Sequence, residues 1–433
     1  MDLSKPLLIF ILSLAIVNQV NTTAFFNFNT YAIKELAIEK FEKEESTIWA
    51  SQQTNGRIPI DELDTDGDGS VLLSKPGHYY LRDTLVVTKT SGDGIIIDSD
   101  NVILDLNGFA VIAGPQQTDD GIVVQGTQEN ITIKNGSVIG FGGDGINGLV
   151  ADLSSFENLL VKDNGDDGIS TDFSCLVINC IVLNNGSEGI NVDDGSIVRN
   201  CTSGNNGADG IRASLGCIVY NCIAFGNASH GIDVNAGSRI EHCTVYDNHE
   251  NGLDLGTSVL TINNTAYRNG WNGIRTSNNA LILDNISNDN GTCISDGSCG
   301  VGTNGQGSNE DQGAGILANS NAMVLKNTSS GNYFGLVLTG VDITANKNNV
   351  QNNSHAGILA TNFLNLIIKN SAENNGFQQS PSITNTSTYP LGNIVFSSGD
   401  FEGSSVGPII NVYSAGDIST ISGAGHPFAN FIY

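Results

Sequence analysis

The stretch Asn185-Gly186-Ser187-Glu188-Gly189-Ile190-Asn191-Val192-Asp193 is rewritten along the chain at a fixed interval. The glycine of its Gly-Ile step returns at Gly168, Gly189, Gly210, Gly231, Gly252 and Gly273, 21 residues apart each time. A period near 20 residues, built from short apolar alternations and Asn/Gly turns, is the signature of stacked coils that bury their apolar side chains against one another. Each coil holds a Gly-Ile strand, a second strand such as Ser196-Ile197-Val198-Arg199-Asn200-Cys201, a short third strand and an Asn-Gly turn. Three short strands per coil of about 21 residues specify an all-β solenoid, a right-handed parallel β-helix. The hand follows the general preference of parallel crossovers.

The interior reads off by column. Ile169, Ile190, Ile211, Ile232, Leu253 and Ile274 stack at one position, and Thr171, Val192, Ala213, Val234, Leu255 and Thr276 follow two residues later on the same face. Cys180, Cys201, Cys222 and Cys243 form a further column, continued by Asn264 and Asn285. Stacked thiols pack as small hydrophobes and are expected to be reduced. Asn185, Asn206, Asn227, Asn248, Asn269 and Asn290 occupy one turn, where each amide can bond the next along the stack.

The whole chain divides into four parts. Residues 1–24 carry Lys5 and then the apolar run Leu7 to Val17, a signal-peptide pattern too short to span a bilayer. Export to the surface or medium follows, with no membrane span after cleavage. Residues 25–60 form a leader in which 31–49 has helical periodicity and is expected to cap the open first coil. The β-helix is expected over 61–376 and a C-terminal cap over 377–433. Gly273 to Gly315 spans 42 residues but holds one strand set, so the surplus is a loop. Within it Cys293 and Cys299 are expected to form a disulfide. Export also opens N-glycosylation of sequons such as Asn185, Asn200 and Asn263, although an Asn-rich repeat generates such triplets by itself.

With 52 Gly, 8 Pro and only 15% charged residues, the chain is made of turns and small side chains. A formal charge of −27 argues against nucleic acid and anionic membrane surfaces as partners. No cofactor is required by any motif; Ca2+ is the cation the acidic segments suit. Asp64, Asp66 and Asp68 alternate as in the start of an EF-hand loop, but Lys75 stands where its bidentate glutamate belongs. An acidic turn before the strand Val71-Leu72-Leu73 is the competing reading.

The turn-plus-Gly-Ile pattern resembles the β-helix repeats of pectate lyases, polygalacturonases and alginate epimerases. The segments Lys75-Pro76-Gly77-His78-Tyr79-Tyr80-Leu81 and Asn101-Val102-Ile103-Leu104-Asp105-Leu106-Asn107-Gly108, the 21-residue coils and the ending Pro427-Phe428-Ala429-Asn430 look closer still to exported right-handed β-helix repeat proteins. That resemblance implies the fold and leaves the reaction open. Segments reminiscent of polygalacturonase motifs, Asp166-Asp167, Asp193-Asp194, Ser229-His230-Gly231 and Gly273-Ile274-Arg275-Thr276, occur at uneven coil separations and lack the lysine.

Candidate chemistry lies on the outward side of the Gly-Ile strands, which reads Ser170, Asn191, Arg212, Asp233, Asp254, Arg275. Adjacent coils are about 4.8 Å apart, so Asp233 and Asp254 should be neighbours between Arg212 and Arg275, with His230 at the strand edge. Carboxyl groups about 5 Å apart suit a retaining glycosidase. They would equally hold a calcium bridging an acidic sugar, with arginine as base or clamp, and His230 suits acid or base work. Asn191, Asp193 and Asn235 extend the face as candidate substrate contacts. Two functions stay open: binding or processing of a polysaccharide or cell-surface glycan by a lyase- or hydrolase-like groove, or a non-catalytic, adhesin-like rod whose Arg-Asp-Asp-Arg column compensates its own charge.

Overall fold

The computed structural model describes residues 56–60, 70–291, 313–354, 356–362, 365–375 and 392–396, the last by backbone alone. A representative coil runs Ile190–Val192, Ile197–Arg199, Thr202–Gly204. The Gly-Ile strands make one 14-stranded sheet from Val71–Leu73 to Gly392–Phe396, parallel at every pairing. Second and third strands join in a 25-stranded sheet, because two early coils run them together as Thr132–Ile139 and Ser155–Lys162. In later coils each strand is stopped by a residue in the left-handed region. In the representative coil these are Gly195, Asn200 and Asn205, at φ of 71°, 55° and 54°. Glycine and asparagine tolerate that conformation best, so the Asn-rich composition is a direct demand of three corners per coil.

Both expected interior columns of the Gly-Ile sheet are buried, from Ile169 and Thr171 through Ile274 and Thr276. The repeating glycine is required by space rather than by φ. A Cβ on Gly168 would collide with Val182, with the Asn185 amide and with the carbonyl oxygen of Gly189 in the next coil.

Corners interrupt the sheet hydrogen bonds, and side chains take over. Asn248 shows how. Its Oδ1 accepts the Asn227 backbone N–H (3.2 Å) and the Asn227 Nδ2 (2.8 Å), while its own Nδ2 donates to Asn269 Oδ1 (3.0 Å) and to the Ala224 carbonyl (3.1 Å). All four bonding directions of a fully buried amide are satisfied, which removes the cost of burying it. The same bonding links Asn164 to Asn185 and continues as far as Asn353 and Asn375. A second ladder begins with Cys180, Cys201, Cys222 and Cys243 and passes to asparagine where the Cys243 N–H donates to Asn264 Oδ1 at 2.8 Å. All six described cysteines are buried free thiols, as expected for the ladder. Cys175 and Cys217, at another corner, alternate with Ser196 and Ser238, whose hydroxyls accept their N–H groups. Burial pushes the Cys175 thiol up to about 12 and that of Cys217 up to about 11, so neither is nucleophilic at neutral pH.

A third ladder lies at the residue before each Gly-Ile glycine. The N–H of Asp144, Asp167 and Glu188 each donates to the carboxylate one coil back, on Asp120, Asp144 and Asp167. These aspartates are therefore more than turn formers. Asp144 and Asp167 are buried to 7% and 8% exposure, and one buried hydroxyl, Ser170 Oγ, lies within 3.2 and 2.9 Å of both. Burial, then the Asp167 and Asp120 charges, push the Asp144 carboxyl up to about 7.

The surplus between Gly273 and Gly315 falls where the sequence puts it. Ile274 pairs with Ile316 and Ile286 with Thr328, so one coil occupies that span and residues 292–312 lie outside the description, with the Cys293–Cys299 disulfide. The signal segment, the helical cap over 31–49, the Asp64/Asp66/Asp68 turn and most of 377–433 also lie outside the described residues. The described end of the leader is strand, not helix: Ile58–Pro59 pairs with Tyr79 and Tyr80, and Ile60 is in the core. Of the sequon asparagines, Asn185, Asn227, Asn285, Asn290 and Asn327 are buried ladder members, whereas Asn200 and Asn263 are exposed corners.

Two measurements test this account. Asn248→Ala orphans buried donors and acceptors in two coils and should cost about 3 kcal/mol locally. Hydrogen exchange at the Asn227 amide should then speed by about 100-fold, against a far smaller effect of Asn221→Ala at an exposed corner, where the cost is about 1 kcal/mol. Equal effects would show that the interior amides are fillers. The second concerns pH. Asp144 rises on folding from 3.8 to about 7, so its contribution is fully present below the lower value and is lost as pH rises through the upper one. Thermal unfolding should move to lower temperature between about pH 4 and 8, and Asp144→Asn, which keeps an acceptor for the Asp167 N–H, should flatten the slope. An unchanged slope removes Asp144 as its source.

Candidate functional site

The outward column is in the register read from the repeat: Asn191 opposite Arg212, Arg212 opposite Asp233, Asp233 opposite Asp254, Asp254 opposite Arg275. The four charged side chains are not equivalent partners, however. Arg212 reaches back to Glu188, with Nη1 3.1 Å from Oε1, instead of closing on Asp233. Arg275 Nη1 lies 3.0 Å from both oxygens of Asp254. Asp254 Oδ2 also receives His230 Nε2 at 3.1 Å and Asn251 Nδ2 at 3.4 Å.

Asp233 is the exception. Among the described residues its carboxyl has no hydrogen-bond or ion-pair partner. Burial, then the charges of Asp209 and Asp254, push it up to about 6, against the opposing pull of Arg212. Two neighbouring carboxyls thus sit in unlike surroundings, one saturated with donors and one without any. That asymmetry is how proteins separate a proton donor from a carboxylate.

His230 is fixed from both sides. Its Nδ1 accepts the backbone N–H of Asn251 at 3.2 Å, which assigns the ring proton to Nε2. Nε2 then faces Asp254 Oδ2 and, at 3.3 Å, Glu250 Oε2. The Trp271 ring stands edge-to-face to the imidazole with centroids 6.3 Å apart. Free general-base behaviour does not fit a ring whose acceptor nitrogen is already used.

The structure therefore joins His230, Asp254 and Arg275, places Asp233 beside them and ties Arg212 to Glu188. It does not bring in Asn191, whose Nδ2 donates to Asp167 Oδ2 at 3.0 Å, nor Asp193, whose Oδ1 accepts the Asp194 N–H at 2.8 Å. Asn235 is exposed at the strand end. Glu250 and Trp271 escaped the sequence reading. Their column runs Asp166, Ser187, Ala208 and Ser229 before them, so the return of an acid at Glu250 followed by one of the chain's 2 tryptophans was the available signal.

Beyond Arg275 the outward column turns apolar, with Leu317, Val337 and Leu359 buried, so the polar face ends at Arg275. Asp144, Asp166 and Asp167 offer carboxylate oxygens within 4.8 Å of one another and are the described residues best placed to share a cation. A shallow open hollow on the opposite sheet, between Gly108, Asn135, Asn158 and Ile181, has no titratable side chain in its lining. Among the described residues no helix is long and apolar enough to cross a membrane.

A family model of the right-handed β-helix region matches residues 83–217 and 120–264. No curated protein matches the sequence. Among solved structures, the A-module of the mannuronan C-5 epimerase AlgE4 of Azotobacter vinelandii is similar at TM-score 0.50 and 16% identity, over 74% of this chain and 96% of that one. The A-module of AlgE6 from the same organism gives 0.49 and 16%, over 73% and 94%. A tailspike protein of E. coli bacteriophage HK620, in complex with a pentasaccharide, gives 0.42 and 14%, over 71% and 61%. At these identities the likeness concerns the fold. The solenoid geometry and the family model agree on the fold, a right-handed parallel β-helix.

Proposed function

We propose that the chain is an exported protein that binds a polysaccharide along the outward face of the Gly-Ile sheet and cleaves it at Asp233 and Asp254. The observation that carries this is the unlike pair: an unpartnered carboxyl pushed up to about 6 one strand away from a carboxyl that accepts Arg275, His230 and Asn251. Asp233 holds a proton in mildly acidic solution and can deliver it to a leaving glycosidic oxygen. Asp254, oriented by its donors, supplies the carboxylate that bonds the anomeric carbon as that oxygen leaves, and a water that gives its proton back to Asp233 then releases the sugar. Adjacent parallel strands set the pair about 5 Å apart, the separation of a retaining hydrolase. Trp271 offers an aromatic surface beside them. The scaffold is shared with an enzyme of mannuronan, which supports a carbohydrate role without fixing the sugar.

One observation favours a second reading, a non-catalytic glycan-binding or structural rod. Arg275 on Asp254 and Arg212 on Glu188 already compensate much of the column's charge. Both pairs are exposed on the arginine side and contribute little stability, so compensation is their simplest structural role.

Incubation with a panel of neutral and acidic polysaccharides, scored for reducing ends and for unsaturated products with and without calcium, separates the readings. Turnover should fall as pH rises past about 6, because the acting form of Asp233 is the protonated one. Asp233→Asn should lower turnover by about 100-fold or more. Product formation that survives in the Asp233→Asn, Asp254→Asn double variant would falsify the site. Binding without products favours the rod.

A further inference from the structure

The ladder before each Gly-Ile glycine asks one thing of its side chains, an acceptor for the backbone N–H of the next coil. Asp209 supplies it to His230 (2.8 Å), Asn251 to Asn272 (3.1 Å) and Asn272 to Ala314 (2.8 Å). His230 meets the same demand through Nδ1, toward Asn251. Architecture thus accounts for one nitrogen of the imidazole and leaves the other unexplained. Asparagine one and two coils later does the structural job without a ring.

The second nitrogen has a defined direction. With the proton on Nε2, the N–H points out of the ladder to Asp254 Oδ2 at 3.1 Å and to Glu250 Oε2 at 3.3 Å. The groups near the ring are Asp233 in its own coil, Glu250 and Asp254 from the coil after, and Trp271 beyond, while Asp209 from the coil before accepts the His230 backbone N–H. The side chain is largely buried, 14% exposed, so its orientation is set by these neighbours rather than by solvent.

We infer that His230 is a positioning residue with two separate tasks: Nδ1 completes the inter-coil ladder, and Nε2–H holds the Asp254 carboxylate in place beside Asp233. This rests on the proposed reading of Asp233 and Asp254 as the working pair. A donor from the ladder and a donor from Arg275 then approach Asp254 from opposite coils, which fixes the plane of the carboxylate. Asp233, which has neither, keeps the freedom to carry a proton.

The test uses the full chain with His230→Asn and His230→Ala. Asparagine restores the ladder acceptor, so His230→Asn should unfold close to the parent temperature while His230→Ala unfolds lower. Both should shift the Asp233 titration upward from its midpoint near 6, read by carboxyl carbon NMR, because losing the Nε2–H donor leaves the neighbouring Asp254 charge, one of those that raise Asp233, less compensated. Turnover of any glycan the parent cleaves should drop by about 100-fold in His230→Asn with KM little changed. If His230→Asn leaves both the Asp233 midpoint and the pH profile where they are in the parent, His230 is only an acceptor and the inference fails. If His230→Asn is as unstable as His230→Ala, the ladder assignment fails instead. The NMR midpoint needs no substrate, so a protein that cleaves nothing overturns the catalytic reading while this inference is still decided.

Discussion

Everything in this molecule depends on how a coil turns its corners without abandoning buried backbone groups. A parallel strand pair satisfies its own N–H and carbonyl groups, but only while it stays extended. Three times per coil the chain must bend, and at each bend an N–H pointing along the solenoid axis loses its sheet partner. The solution here is a side-chain acceptor carried by the next coil or the previous one: asparagine amides and cysteine sulfurs inside, carboxylates and one imidazole at the edge of the Gly-Ile sheet. Orphaned buried groups cost more than most contacts gain, so these acceptors rank with the apolar columns as determinants of the fold.

The candidate site is a by-product of the same constraint. Because the edge position must be an acceptor, acidic side chains accumulate there one coil apart; burial, with their mutual repulsion added, raises Asp144, and burial with the charges of Asp209 and Asp254 raises Asp233 in the neighbouring outward column. Chemistry becomes available where the ladder changes residue type. Between Asp209 and Asn251 the acceptor is His230, and in those same coils the outward column carries Asp233 and Asp254 while the turn carries Glu250 and then Trp271. The scaffold's requirement and the site's requirement meet in one ring.

Much of this was legible beforehand. The 21-residue interval gave strand order, both apolar columns, the reduced thiol ladder and the Arg212–Asp233–Asp254–Arg275 register, because a solenoid turns sequence periodicity directly into spatial adjacency. What stayed hidden depends on side-chain direction, which periodicity does not encode. Arg212 had equal sequence claim on Asp233 and on Glu188, and only the structure shows it reaching Glu188. Asn191 was read as facing substrate, yet its amide is spent on Asp167. The aspartates before glycine looked like turn formers because Asp-Gly favours turns. Their second role, accepting an N–H from the following coil, has no separate sequence mark.

The interior asparagines also bear on the chemical lifetime of the protein. Asn185, Asn206, Asn269 and Asn290 each precede a glycine, the pairing in which the glycine nitrogen most readily attacks the side-chain amide, expels ammonia and closes a succinimide. In the coil that route is shut. The Gly186, Gly207 and Gly270 N–H groups are bound to carbonyls of Asn164, Asn185 and Asn248, and each amide is held between its neighbours. A stretch that unfolds releases both reactants together, and hydrolysis then leaves aspartate or isoaspartate where an amide donor is needed. Refolding would have to bury that charge in a ladder that requires donors. The fold thus protects its own covalent structure, and each prolonged opening of a coil leaves a permanent record in the chain.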